Sequence, residues 1–234
     1  TRNGNIEGRK LLERALEIEP GYAAAQARIA FSLVIDYANG WSDDPERTLR
    51  DGLLRAEQAV EDDNDEAQAH FALSAACIWS RDLDRALAEA ERCLALMPNS
   101  PEGYLTMSHA QIFSGDAAAA LETINTYMTL DPHFPDLTLH FLAEAHISLG
   151  QYEEAVDALN LRLERNPDSA TGHALLASCY GNLGRIEDGR AALVRLNLID
   201  PDFSIERRRQ VLPFRNPADF ERRLDGMRKA GMDV

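Results

Sequence analysis

Between Leu139 and Pro167 apolar positions recur every three or four residues, which is a helical and not a strand period. Leu139, Leu142, Ala143 and His146 share one face. Gly150 breaks the pattern, and Tyr152, Ala155, Leu159 and Leu163 resume it before Pro167. That spacing predicts two amphipathic helices joined by a tight turn. Gly150 can take the positive φ that ends the first helix, and Pro167 cannot continue the second. Neither helix buries its apolar stripe alone, so the pair needs neighbours.

The rest of the chain supplies them at a fixed period. Pro98, Pro132, Pro167 and Pro201 are separated by 34, 35 and 34 residues, and Asn64 stands where a preceding proline would fall. Columns at this period carry the packing logic. One is small where the helices of a pair cross: Gly8, Gly52, Ala86, Ala120, Ala155, Gly189. A second is small on each first helix (Ala30, Ser74, Ser108, Ala143, Ala177), and the column just before it is large: Ile29, Leu73, Met107, Leu142, Leu176. Close backbone approach at small positions lets the large ones interdigitate. The turn slot reads Gly115, Gly150 and Gly184, with Arg81 in an earlier unit. Late in the second helices, Ala15, Ala59 and Cys93 give way to Tyr127, Arg162 and Leu196, so wider spacing or a turned helix is expected there.

The pattern sets expected boundaries. An array over residues 1–203 comprises a half repeat at 5–20 and repeats at about 23–66, 67–100, 101–134, 135–169 and 170–203. The half repeat supplies a second helix without a first, leaving Leu12, Ala15 and Leu16 partly uncovered, as expected of a chain cut from a longer protein. An insertion at 38–45 contains Asn39-Gly40, a turn signal, then Asp44-Pro45, an N-cap and first-turn proline. Trp41 is expected to fold back onto the array. Residues 204–234 should form capping helices: Ser204 caps one, and Asn216-Pro217 opens a last one with Phe220, Leu224 and Met227 on one face.

Composition narrows the function classes. The 234 residues carry 39 acidic and 24 basic side chains, a net charge of −15. A phosphate backbone would be repelled on average, which argues against nucleic-acid binding. The charge is uneven: residues 204–234 hold eight Arg or Lys against five Asp or Glu, a net of +3, so the rest carries −18. No apolar run approaches the roughly 20 residues of a membrane span. Cys77, Cys93 and Cys179 lack CxxC spacing and fall where small buried residues suit helix crossings, as reduced structural thiols of a cytoplasmic protein would. No phosphate-cradling loop, HExxH or GxSxG motif occurs, so no catalytic residue, metal or cofactor is expected.

A 34-residue helix–turn–helix with this small/large alternation and closing proline resembles the tetratricopeptide repeat. The resemblance implies an all-α, right-handed superhelical α-solenoid ending in a capping helix, with the first helix of each repeat lining a concave wall. Carried over by register, a wall for a protein or peptide ligand would include Phe31, Phe71, Ala75, Trp79, Leu105, His109, Phe113, His140 and Glu144. Relatives that clamp acidic tails use cations on these helices. The matching Ala27, Phe31, Phe71, Ala75, Leu105 and His109 include none, so an acidic peptide would fit poorly.

A second resemblance supplies context. Gly40-Trp41-Ser42-Asp43-Asp44-Pro45-Glu46, Leu212-Pro213-Phe214-Arg215-Asn216-Pro217-Ala218-Asp219 and Leu224-Asp225-Gly226-Met227-Arg228-Lys229-Ala230-Gly231 are similar to the C-terminal repeat region of bacterial multidomain class III adenylate cyclases. It implies a non-catalytic regulatory scaffold, downstream of a cyclase domain and able to help two copies dimerise. One alternative is the tail of a winged-helix transcriptional regulator. Another is an enzyme or metal site at His109, His140 and Glu144, residues that register brings to neighbouring inner helices.

Overall fold

The computed structural model describes residues 2–232. Among the described residues there are thirteen α-helices and no strand, the all-α array of helical hairpins that the periodicity predicts. Packing divides the chain between Ala110 and Gln111 into two compact units.

The first unit holds α1 (Arg2–Ile18), α2 (Ala23–Asn39), α3 (Pro45–Asp62), α4 (Ala67–Trp79), α5 (Leu83–Leu96) and most of α6 (Pro101–Ser114). Helices α2 and α3 form one hairpin, α4 and α5 the next, and α4 packs beside both α2 and α3. The small columns do what their size predicts. Ala30, Ser74 and Ala86 are fully buried. At Gly52 an added Cβ would lie 3.3 Å from Leu33 Cβ, so little more than glycine fits. At Gly8 a Cβ would meet nothing within 4 Å, and packing there does not demand glycine.

Helix α1 lies at the edge of this unit and buries no residue fully. Leu12, Ala15 and Leu16 are half-buried, as expected of a second helix without its mate, while Leu11 and Ile18 are 65% and 87% exposed. It is tied to α2 by polar contacts: Arg9 pairs with the buried Asp36 at 2.8 Å, and Asn5 Nδ2 donates to the same carboxylate at 2.7 Å. In the insertion, Asp44 caps α3 by accepting from the Arg47 N–H, with Pro45 in the first turn. Trp41 is half-buried, and its backbone N–H donates to the Asp36 carbonyl at 2.8 Å.

The second unit begins at the end of α6. It continues through α7 (Ala117–Leu130), α8 (Asp136–Ser148), α9 (Tyr152–Arg165), α10 (Ala170–Asn182), α11 (Ile186–Ile199), α12 (Ile205–Val211) and α13 (Pro217–Lys229). Its core joins Ala143, Ile147, Ala155, Leu159, Leu176, Ala177 and Cys179 around the α8–α9 and α10–α11 hairpins. The bulky residues late in the second helices are accommodated inside, since Tyr127, Arg162 and Leu196 are all buried. Tyr127 Oη reaches Asp131 at 3.1 Å, and Arg162 reaches polar partners described below.

Hairpin turns follow the glycine column. Gly115, Gly150 and Gly184 have φ of +91°, +75° and +75°, and Arg81, in the same slot, is forced to +65°. The aspartates after two of these turns cap the second helices: Asp82 accepts from the Arg85 N–H and Asp116 from the Ala119 N–H. A second tie recurs between pairs. His70 Nε2 lies 2.9 Å from the Asn64 carbonyl, Tyr104 Oη donates to the Pro98 carbonyl at 3.1 Å, and His173 Nε2 lies 3.0 Å from the Pro167 carbonyl. Each side chain, on the first turn of a first helix, reaches back six residues and pins the preceding loop.

Candidate functional site

In the first unit, the first helices α2, α4 and α6 carry an aromatic ladder. The Phe31 and Phe71 rings sit 4.6 Å apart; Tyr37 meets Trp79 edge-on at 6.0 Å, and Trp79 meets the His109 imidazole edge-on at 5.8 Å. Phe71 and Ala75 are buried, whereas Phe31, Tyr37, Trp79, Leu105 and His109 keep part of their surface in solvent. Half-buried aromatic side chains on neighbouring helices offer flat apolar area with little rotamer freedom left to lose. Tyr37 was not among the residues that register picked out; only its pairing with Trp79 in space reveals it. At the edge of this face Arg28 pairs with Glu102 at 3.2 Å.

The second unit arranges its expected site residues differently. Phe113 is fully buried, its ring meeting Phe214 edge-on at 4.7 Å. Glu144 is buried and ion-paired to Arg223, the two side chains being 6% and 4% exposed. These two expected ligand contacts are therefore engaged by the chain's own C-terminal segment and present no open surface. The Arg223 guanidinium also stacks on the Phe214 ring at 4.5 Å, which suits its Nε and Nη2, groups that find no protein acceptor.

His140 stays partly exposed within the same chain of polar contacts. Its Nδ1 lies 3.0 Å from Arg162 Nη1, and its Nε2 lies 3.8 Å from Glu144 Oε2. Arginine can only donate, so Nδ1 accepts and the ring proton sits on Nε2, facing the carboxylate. Arg162 also reaches Thr171 at 3.3 Å and Asp136 at 3.5 Å. Burial pulls its pKa below the usual guanidinium value, with Asp136 opposing. The run Arg223–Glu144–His140–Arg162–Asp136 sets two guanidinium groups and two carboxylates around a neutral imidazole, with no net charge. Glu144 is held as the counter-ion of Arg223, and in the first unit His109 packs on Trp79. Among the described residues, no group of three or more His, Cys, Asp or Glu is placed to hold a metal ion.

Residues 204–232 lie across the ends of three successive first helices in the second unit. The Arg215 N–H donates to the Phe113 carbonyl in the last turn of α6 at 2.9 Å. Arg222 Nη1 donates to the Ser148 carbonyl, the last of α8, at 2.7 Å. At the end of α10, Lys229 Nζ donates to Asn182 Oδ1 at 3.1 Å. Helix C-termini expose unpaired carbonyls and partial negative charge, so cationic side chains and spare N–H groups are what they accept best. Helix α13 then packs along α10 with Leu224 and Met227 buried. Ser178 Oγ donates to the Arg223 carbonyl, and an added Cβ at Gly181 would run into the Gly226 carbonyl oxygen. The sequence marked this segment as a basic cap, but which groups it would meet was not readable.

No helix among the described residues is long and apolar enough to cross a membrane. Comparison with known proteins agrees with the architecture. Residues 114–179 match a family model described as tetratricopeptide repeat. A stretch of 82 residues, 35% of this chain, is 38% identical to a protein named "Putative adenylate cyclase 3" from Rhizobium meliloti (strain 1021), and the match spans 14% of that protein. Among solved structures, the APC/C hetero-tetramer Cut9–Hcn1 covers 98% of this chain, and the chain covers 40% of it, with a TM-score of 0.75 at 16% identity. TTC0263, a thermophilic tetratricopeptide protein of Thermus thermophilus, covers 79% with 96% of its own length matched, at a TM-score of 0.64 and 18% identity. YrrB, described as a tetratricopeptide protein with an unusual peptide-binding site, covers 82% with 93% of its own length matched, at a TM-score of 0.53 and 15% identity. The chain is accordingly an all-α array of helical hairpins in which residues 114–179 match the tetratricopeptide repeat model and the fold over nearly the whole length resembles that of solved tetratricopeptide proteins.

Proposed function

We propose that this chain is a non-catalytic docking scaffold whose first-unit face, built from Phe31, Tyr37, Trp79, Leu105 and His109, receives a peptide or helix with apolar anchors. The observation that carries the reading is the partly exposed aromatic ladder on α2, α4 and α6. Aromatic side chains at the centre of an interface dominate binding energy, and a neighbouring histidine can both stack and hydrogen-bond. The net negative charge outside the C-terminal segment favours basic over acidic partners. The similarity over 82 residues to a protein named as an adenylate cyclase supports a regulatory, cytoplasmic role beside a cyclase-type domain, with two copies brought together by the repeats.

Peptides selected on the intact chain from a random library test the docking claim. Binding should fall about tenfold or more on Trp79→Ala, because a central aromatic anchor is removed. Selected peptides that bind Trp79→Ala as tightly as the wild type would refute it. Sedimentation at high protein concentration and low salt tests self-association separately, and a monomer throughout would remove the dimerisation part of the reading.

A further inference from the structure

We propose that the face formed by the last turns of α6, α8 and α10 is itself a docking surface for a basic amphipathic helix led by an extended aromatic–arginine stretch, and that residues 204–232 occupy it as a tethered ligand. This goes beyond the first-unit face and does not depend on it.

The contacts are those of a recognised segment. Leu212 to Asn216 run between α12 and α13. Phe214 lies between Phe113 and the Arg223 guanidinium, and the next residue gives its N–H to the Phe113 carbonyl. Contacts to the ends of successive first helices come from the Arg215 backbone N–H ahead of α13, and then from the Arg222 and Lys229 side chains, seven residues apart on one face of α13. Arg223 supplies the buried cation for Glu144, a carboxylate on the facing helix. Gly226 supplies the close backbone approach against Ser178, which no larger residue allows. These define a ligand: an aromatic residue, then nine positions on an Arg-Leu-x-Gly-Met core, with cations flanking it. Charge favours the fit, residues 204–234 carrying +3 and the remainder −18. The helix that joins the segment to the array, α12, buries no residue fully. A partner helix of the same chemistry would compete for the face.

The test uses the full chain with a protease recognition sequence inserted after the exposed Asp202. After cleavage, a fluorescent synthetic peptide of residues 203–234 should exchange into the nicked protein, with anisotropy rising and circular dichroism unchanged. The Arg223→Ala peptide should bind about tenfold or more weakly, because it removes the buried cation that faces the Glu144 carboxylate. The Arg228→Ala peptide, altered at an exposed position, should bind within about twofold of the wild type. Three results would overturn the proposal: a folded nicked protein that takes up no peptide, a nicked protein that unfolds, or an Arg223→Ala peptide that binds like the parent. The first two would make the segment a permanent cap, and the third would show that Glu144 does not select its occupant.

Discussion

Glu144 shows how far a residue's role depends on a partner distant in sequence. By register it sits one turn from His140 on a first helix, and a ligand-facing carboxylate is a fair expectation. In space it meets Arg223, 79 residues later, and both side chains are buried. No periodicity pairs two positions that far apart, so the pairing was out of reach of the sequence alone. Breaking it should be costly, because Glu144 would keep a buried charge. Arg223→Ala is expected to lose about 3–5 kcal/mol in urea unfolding. Replacing both partners with apolar residues, Glu144→Leu with Arg223→Met, should lose clearly less than the sum of the single changes.

The cysteines were more legible, since small size at helix crossings foretold burial. All three are free and buried, and desolvation pushes the Cys77 and Cys179 thiols up from 9.0 to about 12. A raised folded-state value means the neutral thiol stabilises the fold below pH 9.0. That contribution is lost as pH rises from 9.0 towards about 12, where the unfolded chain ionises first. Thiol reagents at pH 8 should therefore leave native Cys77 and Cys179 unmodified, and Cys77→Ala with Cys179→Ala should raise the midpoint of alkaline unfolding.

At the scale of elements, most of the plan was readable. Turn glycines, closing prolines, and caps at Asp44, Ser204 and Asn216 are local signals, and the structure uses each of them. Arg81 is the informative exception. It holds φ +65° where the other hairpins have glycine, a conformation that a Cβ makes costly. Arg81→Gly should raise stability by about 1 kcal/mol, read as a higher denaturation midpoint with an unchanged slope. The opposite change applies at the α10–α13 crossing. Gly181→Ala would drive a methyl into the Gly226 carbonyl, so α13 must move away, and a loss of about 3 kcal/mol or more is expected. The crossing itself could not be foreseen, because α13 lies outside the repeat and its docking partner is set by no period.

For the whole molecule, the repeat rule explains why two faces are proposed for recognition. Hairpins of this kind bury their stripes against the pairs before and after, which leaves the first-helix faces to meet something else. In the second unit that something is the C-terminal segment, drawn by helix-end carbonyls and a buried carboxylate. In the first unit the aromatic ladder keeps solvent-facing surface. The sequence showed both faces as one continuous expectation, since register treats every first helix alike. It could not show that Phe113 and Glu144 are buried while Trp79 and His109 keep part of their surface in solvent. Amide hydrogen exchange across the full chain, with and without a selected peptide, tests the account most directly. New protection should fall on α2, α4 and the first turns of α6, with α8 and α10 unchanged. Protection confined to the second helices α3 and α5, or none at a saturating peptide concentration, would contradict it.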